Sequence, residues 1–207
     1  MENNTNVLTA GKELRQAKRA LIMVHGRGAS PEDILPLSSE LKVEDFAILA
    51  PRAEHNSWYP YSFLAPPQQN EPWLSASLQL IGTLASGIEK QGIGRKDIYF
   101  LGFSQGACLM LEYVARNASK YGGVAAFTGG LIGERIHKEN YKGSFDGTPV
   151  FIGTSDPDPH VPVTRVQETT RILQSMGAVV TEKIYKNMGH TITLEEVHLA
   201  NTLIFTP

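Results

Sequence analysis

Six short apolar runs constrain the fold of this chain more than any other feature. Most of them are separated by patterns typical of helices. They occupy residues 20–25, 46–50, 98–103, 124–128, 150–153 and 179–185. The first five are apolar throughout, which is typical of parallel strands covered on both faces. Helices are predicted over residues 31–42, 72–91, 105–118, 163–176 and 194–205. This alternation predicts an α/β fold with a mainly parallel twisted sheet and helices on both faces.

The length of 207 residues fits one domain, spanning 1–207, because domains cluster at about 100–200 residues. Lys and Arg number 19 against 21 Asp and Glu, and no polybasic run occurs, so a nucleic-acid partner is not expected. No apolar stretch is long enough for a membrane span, and stable membrane insertion is not expected. Because the polar, acidic start at residues 1–6 lacks a signal-peptide pattern, we expect a cytoplasmic protein.

The loop after the first apolar run reads H-G-R-G-A-S at residues 25–30. A dinucleotide-binding loop would need a third glycine where Pro31 stands, and the Walker phosphate-binding pattern is absent. Ligands of parallel sheets lie outside the carboxyl ends of the strands. We therefore interpret this segment as a tight strand-to-helix turn that aims a backbone N–H group at a reacting oxygen, with His25 hydrogen-bonded beneath it.

Residues 102–106 read G-F-S-Q-G between a predicted strand and a predicted helix. This is the G-x-S-x-G nucleophile turn of α/β-hydrolases in the context that it requires. The glycines allow a sharp turn, which would place the Ser104 hydroxyl at a helix N-terminus and the Gln105 N–H beside a developing oxyanion. Cys108 lies one helical turn later, inside the helix, and is interpreted as a small buried residue.

A serine nucleophile needs a base and an acid, which in α/β-hydrolases follow it in the order acid, then histidine. Asp156 and Asp158 follow one predicted strand, and His190 follows the next. His190 is the predicted base. His160 is a rival, but it shares the loop of the two aspartates. Chemistry alone leaves both aspartates open as the acid.

Taken together, these segments resemble the phospholipase/carboxylesterase family of α/β-hydrolases, which includes the acyl-protein thioesterases. The matching segments are L-I-M-V-H-G (21–26), A-P-R (50–52), S-W-Y (57–59), G-F-S-Q-G-A (102–107), D-P-H-V-P (158–162) and G-H (189–190). They cover nearly the whole chain, and the likeness is strongest to bacterial members described only as predicted esterases.

The resemblance implies specific roles for several residues. The family's acid-loop pattern G-D-x-D-P-x-V-P favours Asp158 as the acid and places Ser155 where a glycine is usual. The family's oxyanion hole falls on the backbone N–H groups of Arg27 and Gln105. Arg27 departs from the small or apolar residue of the thioesterases and puts a charge near the site, which argues against a long lipid substrate.

The segment 57–73 is rich in aromatic residues and proline. Because a loop of this length in a compact domain is usually functional, we expect Trp58, Tyr59 and Phe63 to line an acyl or aryl pocket. The alternative is that they cover the sheet edge. No insertion is long enough for a large cap domain, so the site should be shallow and open.

These observations predict a serine carboxylesterase that hydrolyses small esters through an acyl-enzyme, without a metal or organic cofactor. Two alternatives stay open: a thioesterase or lysophospholipase for long acyl chains, and a catalytically silent binding protein with this fold. The expected partner is a small-molecule ester. The sequence leaves a homodimer, the natural substrate and the acyl chain length open.

Overall fold

The computed structural model describes residues 6–206. Most of the N-terminal segment considered for a targeting signal, residues 1–5, lies outside this range. Within it, none of the helices combines the length and apolarity that crossing a bilayer requires.

Within residues 6–206, seven strands form one sheet in the order β1-β3-β2-β4-β5-β6-β7. Their bounds are β1 (Val7–Gly11), β2 (Arg19–Val24), β3 (Phe46–Pro51), β4 (Ile98–Phe103), β5 (Gly123–Phe127), β6 (Pro149–Asp156) and β7 (Val179–Lys186). All neighbouring pairs are parallel except β1 with β3. The mainly parallel sheet is therefore confirmed. The antiparallel edge strand β1 was not predicted.

The described part of the chain contains five α-helices: α1 (Pro31–Ile34), α2 (Trp73–Lys90), α3 (Gln105–Arg116), α4 (Val163–Ser175) and α5 (Leu194–Leu203). Four match the predicted helices to within two residues at each end. The prediction over 31–42 was wrong in length, because α1 stops at Ile34 and a 3-10 helix follows over Leu35–Glu40. Pro36 has no N–H to donate and its ring crowds the preceding turn, so a long α-helix cannot pass through it.

Helices cover the sheet on both faces, which explains why its strands are apolar throughout. Along β2, Ile22 and Val24 belong to one buried cluster, which α2, α3 and α4 cover. Leu21 and Met23 point the other way, into a second cluster with residues of α1 and α5. Side chains that alternate between two buried layers must both be apolar.

The parallel arrangement brings the carboxyl ends of β2, β4, β6 and β7 to the same edge of the sheet. The loops that follow them carry the residues 25–30, 104–106, 157–162 and 187–190. The longest connection between described strands, residues 52–97, contains α2 and the aromatic segment and forms no separate cap domain. The site at this edge is therefore built from short loops.

Candidate active site

Ser104 occupies a sharp turn between β4 and α3. Its backbone is in a strained conformation, with φ 54° and ψ −120°. A Cβ at position 102 would lie 2.7 Å from the Gly106 carbonyl oxygen, and one at 106 would collide with the carbonyl oxygens of Val24 and His25. Both glycines of the G-x-S-x-G motif are thus needed for the backbone to pass so close to its neighbours. The result is a serine hydroxyl held at the N-terminus of α3.

His190 lies between Ser104 and Asp158 in a continuous chain of hydrogen bonds. Its Nε2 is 2.8 Å from Ser104 Oγ, and its Nδ1 is 2.8 Å from Asp158 Oδ2. The three residues come from the loops after β4, β6 and β7, so the topology joins positions far apart in the chain. With Nδ1–H donated to the carboxylate, Nε2 is free to accept the serine proton.

The environment of Asp158 keeps its carboxyl group ionised. Burial alone would raise its pKa, since the side chain is 0% exposed. Hydrogen bonds from His190 and from the backbone N–H groups of His160 and Val161 outweigh burial and lower the pKa below its usual value. Asp156 is exposed, and its carboxylate takes part in no hydrogen bond among residues 6–206. The geometry therefore pairs His190 with Asp158.

The other two histidines near the site hold different positions. His160 packs edge-on against the His190 ring, with centroids 4.8 Å apart, and lines the cavity without bonding Ser104. His25 is fully buried: its Nε2 accepts the Ala53 N–H, and its Nδ1 lies 2.7 Å from the Gly26 carbonyl oxygen. Burial lowers the His25 pKa, so this ring is a neutral support beneath the first loop.

Ser155 links the loops that carry the acid and the base. Its buried hydroxyl accepts the Gly189 N–H at 3.0 Å and donates to the Pro157 carbonyl at 3.1 Å. The sequence identified Ser155 only as a departure from the family's glycine. Its hydrogen bonds join the segment before Asp158 to the residue before His190.

The backbone N–H groups of Arg27 and Gln105 are the predicted donors of the oxyanion hole. Gln105 is the first residue of α3, where N–H groups have no partner inside the helix. Neither N–H donates to any acceptor within residues 6–206. Both residues line the cavity that contains Ser104. Two unpaired donors beside a nucleophile suit a developing negative charge.

The side chains of the same two residues hold the aromatic segment in place. The Arg27 guanidinium donates to Ser57 Oγ at 3.0 Å, to the Pro60 carbonyl at 2.8 Å and to the Tyr61 carbonyl at 2.6 Å. The Gln105 amide accepts the Trp58 N–H at 3.0 Å and donates to the Tyr59 carbonyl at 2.8 Å. The sequence did not predict this bracing of segment 57–61.

A cavity of about 430 Å³ opens over Ser104. Tyr59 and Phe63 line it, together with Phe103, Cys108 and Val161. Trp58, which the sequence also placed in the pocket wall, does not line it. The Trp58 side chain is 1% exposed, packs at a tilt against the His25 ring and donates Nε1–H to the His25 carbonyl at 2.8 Å. A buried indole N–H needs an acceptor, and the His25 carbonyl supplies it. The Trp58 indole therefore supports the loop at residues 25–30 and does not form the cavity wall.

Cys108 lies on the cavity floor but is not a competent nucleophile. It is fully buried, and burial raises the pKa of its thiol to about 12. Its Sγ accepts the Gly130 N–H at 3.5 Å. In residues 6–206, no three His, Cys, Asp or Glu side chains gather in a way that could hold a metal ion.

Comparison with known proteins yields one family and several relatives. The family model described as Phospholipase/Carboxylesterase matches residues 6–206. A crystal structure of a phospholipase/carboxylesterase from Dyadobacter fermentans superposes with a TM-score of 0.96 at 53% identity, covering 97% of this chain and 96% of that one. This likeness, with the family match, identifies the fold as that of the α/β-hydrolases.

The curated relatives are more distant. Acyl-protein thioesterase 1 of Kluyveromyces lactis is 29% identical over 130 residues, or 60% of this chain and 56% of the relative. A probable carboxylesterase SOBER1-like protein of Arabidopsis thaliana is 25% identical over 198 residues, or 87% of this chain and 76% of the relative. The aligned part spans about half the length of the acyl-protein thioesterases.

Proposed function

The chain belongs to the phospholipase/carboxylesterase family, and on this premise we propose that it is a serine carboxylesterase for small carboxylic esters. The observation that carries the proposal is the hydrogen-bonded series Ser104–His190–Asp158 beside two unpaired backbone N–H groups. A nucleophile, a base, an orienting acid and an oxyanion hole are the parts that acyl transfer requires.

In the first step, Ser104 Oγ attacks the ester carbonyl carbon while His190 Nε2 takes the hydroxyl proton. The carbonyl oxygen becomes an oxyanion, and the N–H groups of Arg27 and Gln105 donate to it. One such donor is typically worth about 3–4 kcal/mol of transition-state stabilisation. Asp158 stabilises the imidazolium that forms. His190 then protonates the departing alcohol, which leaves Ser104 acylated.

The second step repeats the first with water as the nucleophile. His190 removes a proton from water, which attacks the acyl carbonyl, and the second oxyanion occupies the same hole. Collapse breaks the bond to Ser104 Oγ, and His190 returns the proton to the serine. The products are a carboxylic acid and an alcohol, and all protons balance within the site.

The preference for small esters rests on the form of the cavity. Its volume of about 430 Å³ is bounded by the short segment 57–63 and by loops, without a cap domain. The exposed guanidinium of Arg27 stands at its rim. A charged rim disfavours a long hydrocarbon chain, because apolar atoms would displace water from a charge.

Initial rates on p-nitrophenyl esters from acetate to palmitate test the proposal, with Ser104→Ala as the inactive control. We expect activity that peaks at short chains and a loss of about 10⁴-fold or more in kcat for the variant. Near-normal turnover by Ser104→Ala would reject the assigned nucleophile.

The same series, extended with matched thioesters and a fluorophosphonate probe, separates the alternatives. Activity confined to long chains, or a strong preference for a thioester over its matched oxygen ester, would replace this proposal with a deacylase acting on long acyl groups. A protein that neither hydrolyses esters nor reacts with a fluorophosphonate probe would be a silent binding protein.

A further inference from the structure

The Arg27 guanidinium is fixed at the rim of the cavity by neutral partners alone. Three of its five N–H donors are engaged by the Ser57 hydroxyl and by the carbonyls of Pro60 and Tyr61. Its carbon also lies 5.9 Å from the centroid of the Tyr59 ring. These contacts hold the side chain in one orientation, yet none of them neutralises its charge.

In the part of the chain that the structure describes, no carboxylate forms an ion pair with this guanidinium. None of the ion pairs among residues 6–206 includes Arg27, whereas five other arginines each pair with a glutamate: Arg52, Arg95, Arg116, Arg135 and Arg165. The residues that line the cavity include no Asp or Glu. The two histidines on this lining, His160 and His190, add no negative charge. The cavity is thus biased toward an anionic ligand.

The position of Arg27 also fixes which part of an ester it would meet. The alcohol leaves on the side of His190, which must protonate it. Arg27 lies with the oxyanion-hole loop and segment 57–61, whereas the contacts of His190 are Ser104, Asp158, Phe103 and His160. In the proposed mechanism, the guanidinium would therefore lie nearer the acyl part of a bound ester than the departing alcohol.

We propose that Arg27 recognises a carboxylate on the acyl chain, so that the preferred substrates are short monoesters of dicarboxylic acids. This inference rests on the proposed esterase function and names its substrate class. The backbone N–H of Arg27 contacts the reacting carbonyl while its side chain holds the distal carboxylate. The length of one arginine side chain then sets the distance between the reacting carbonyl and the distal carboxylate of the substrate. This distance restricts the acyl chain to a few carbons. Arginine suits this role because its planar fork matches a carboxylate.

The test compares monoethyl glutarate with its uncharged isostere, ethyl 4-carbamoylbutanoate. Ethanol release gives kcat/KM for each ester, divided by the rate at which hydroxide hydrolyses that ester. We expect the native enzyme to prefer the carboxylate ester by about tenfold, the scale of one charge-assisted hydrogen bond at a partly exposed site. The preference should decline as salt is raised to about 0.5 M, because salt screens exposed charges.

Two variants assign the preference to its residue. Arg27→Gln should bring the ratio of the corrected kcat/KM values for the two esters close to one. Because the readout is a ratio, it does not depend on any loss of activity that the altered loop causes for both esters alike. Arg15→Gln removes the same charge from an exposed residue outside the cavity and should leave the ratio unchanged.

Several outcomes would overturn the inference. One is a native ratio near or below one, and another is a ratio that survives Arg27→Gln. If p-nitrophenyl acetate is hydrolysed in a Ser104-dependent manner but neither ethyl ester is, the substrate class is wrong while the esterase function stands. If p-nitrophenyl acetate is not hydrolysed either, the esterase function fails, and this inference fails with it.

Discussion

Replacing Asp158 with asparagine preserves the shape of the side chain and changes the proton arrangement of the site. The native carboxylate accepts His190 Nδ1–H through Oδ2, and two backbone N–H groups, from His160 and Val161, through Oδ1, each at 2.8 Å. In the variant, the amide oxygen must take the position that faces the two backbone donors, because an NH₂ group there would meet two N–H groups. The NH₂ group then points at His190.

The consequence for catalysis follows from the tautomer of His190. An NH₂ group that donates to Nδ1 places the imidazole proton on Nε2, which can then no longer accept the Ser104 proton. The variant also lacks the negative charge that stabilises the imidazolium. In the serine-protease triad the same change lowers kcat about 10⁴-fold, equivalent to about 5 kcal/mol, and we expect a loss of this size here.

Asp156→Asn is the matched control. It makes the same chemical change two residues away, at an exposed carboxylate with no hydrogen bond in the described residues. Because this carboxylate bonds neither His190 nor Ser104, kcat should stay within about twofold of the native value, and the stability should change by no more than about 0.5 kcal/mol.

The assay is steady-state hydrolysis of p-nitrophenyl acetate by the native enzyme and both variants, with thermal unfolding to establish that all three are folded. The reasoning requires Asp158→Asn to be far more damaging than Asp156→Asn. Equal losses, or the reverse ranking, would refute the assignment of the acid.

Three further predictions concern residues around the triad. Ser155→Ala should lower kcat about 10- to 100-fold with little change in KM, because the Gly189 N–H loses its acceptor and His190 shifts. A change in KM alone would contradict a positioning role for Ser155. Cys108 should react with Ellman's reagent at pH 8 only after unfolding, since burial raises its thiol pKa to about 12; rapid labelling of the folded protein would contradict this. Burial raises the pKa of Glu196, so its ionisation destabilises the fold as pH rises above the ordinary carboxyl range. Urea unfolding should therefore show the stability of Glu196→Gln improving relative to the native protein as the pH rises above the ordinary carboxyl value of 4.5, and a constant difference would contradict this.

The sequence predicts most of the sheet because burial on both faces leaves an unmistakable pattern. Residues 20–24 must be apolar at every position, since successive side chains enter two different cores. The strand Val7–Gly11 has no such pattern, because it is a short, partly exposed edge strand. Its structure depends on antiparallel pairing with Phe46–Pro51, which cannot be read from five residues alone.

In the candidate site, order along the chain and the motif context predict Ser104 and His190, but not which aspartate the histidine meets. That choice depends on the path of the loop after β6, and only the family pattern favoured Asp158.

The position of Trp58 could not be predicted for a related reason. Composition marks an aromatic loop, whereas the side of the loop that faces the core depends on partners such as the His25 carbonyl.

The two proposed oxyanion donors also couple the chemistry to the cavity wall. In the proposed mechanism, Arg27 and Gln105 each donate a backbone N–H to the reacting carbonyl, and their side chains hold segment 57–61 by hydrogen bonds. A shift of that segment would therefore pull on the residues that form the hole, and a misplacement of about 1 Å can cost about 10²-fold in rate. Substitutions in the wall, at Tyr59 or Pro60, should alter kcat together with KM. In this arrangement, a substitution that changes acyl specificity through segment 57–61 also changes the hydrogen bonds that stabilise the oxyanion in the transition state.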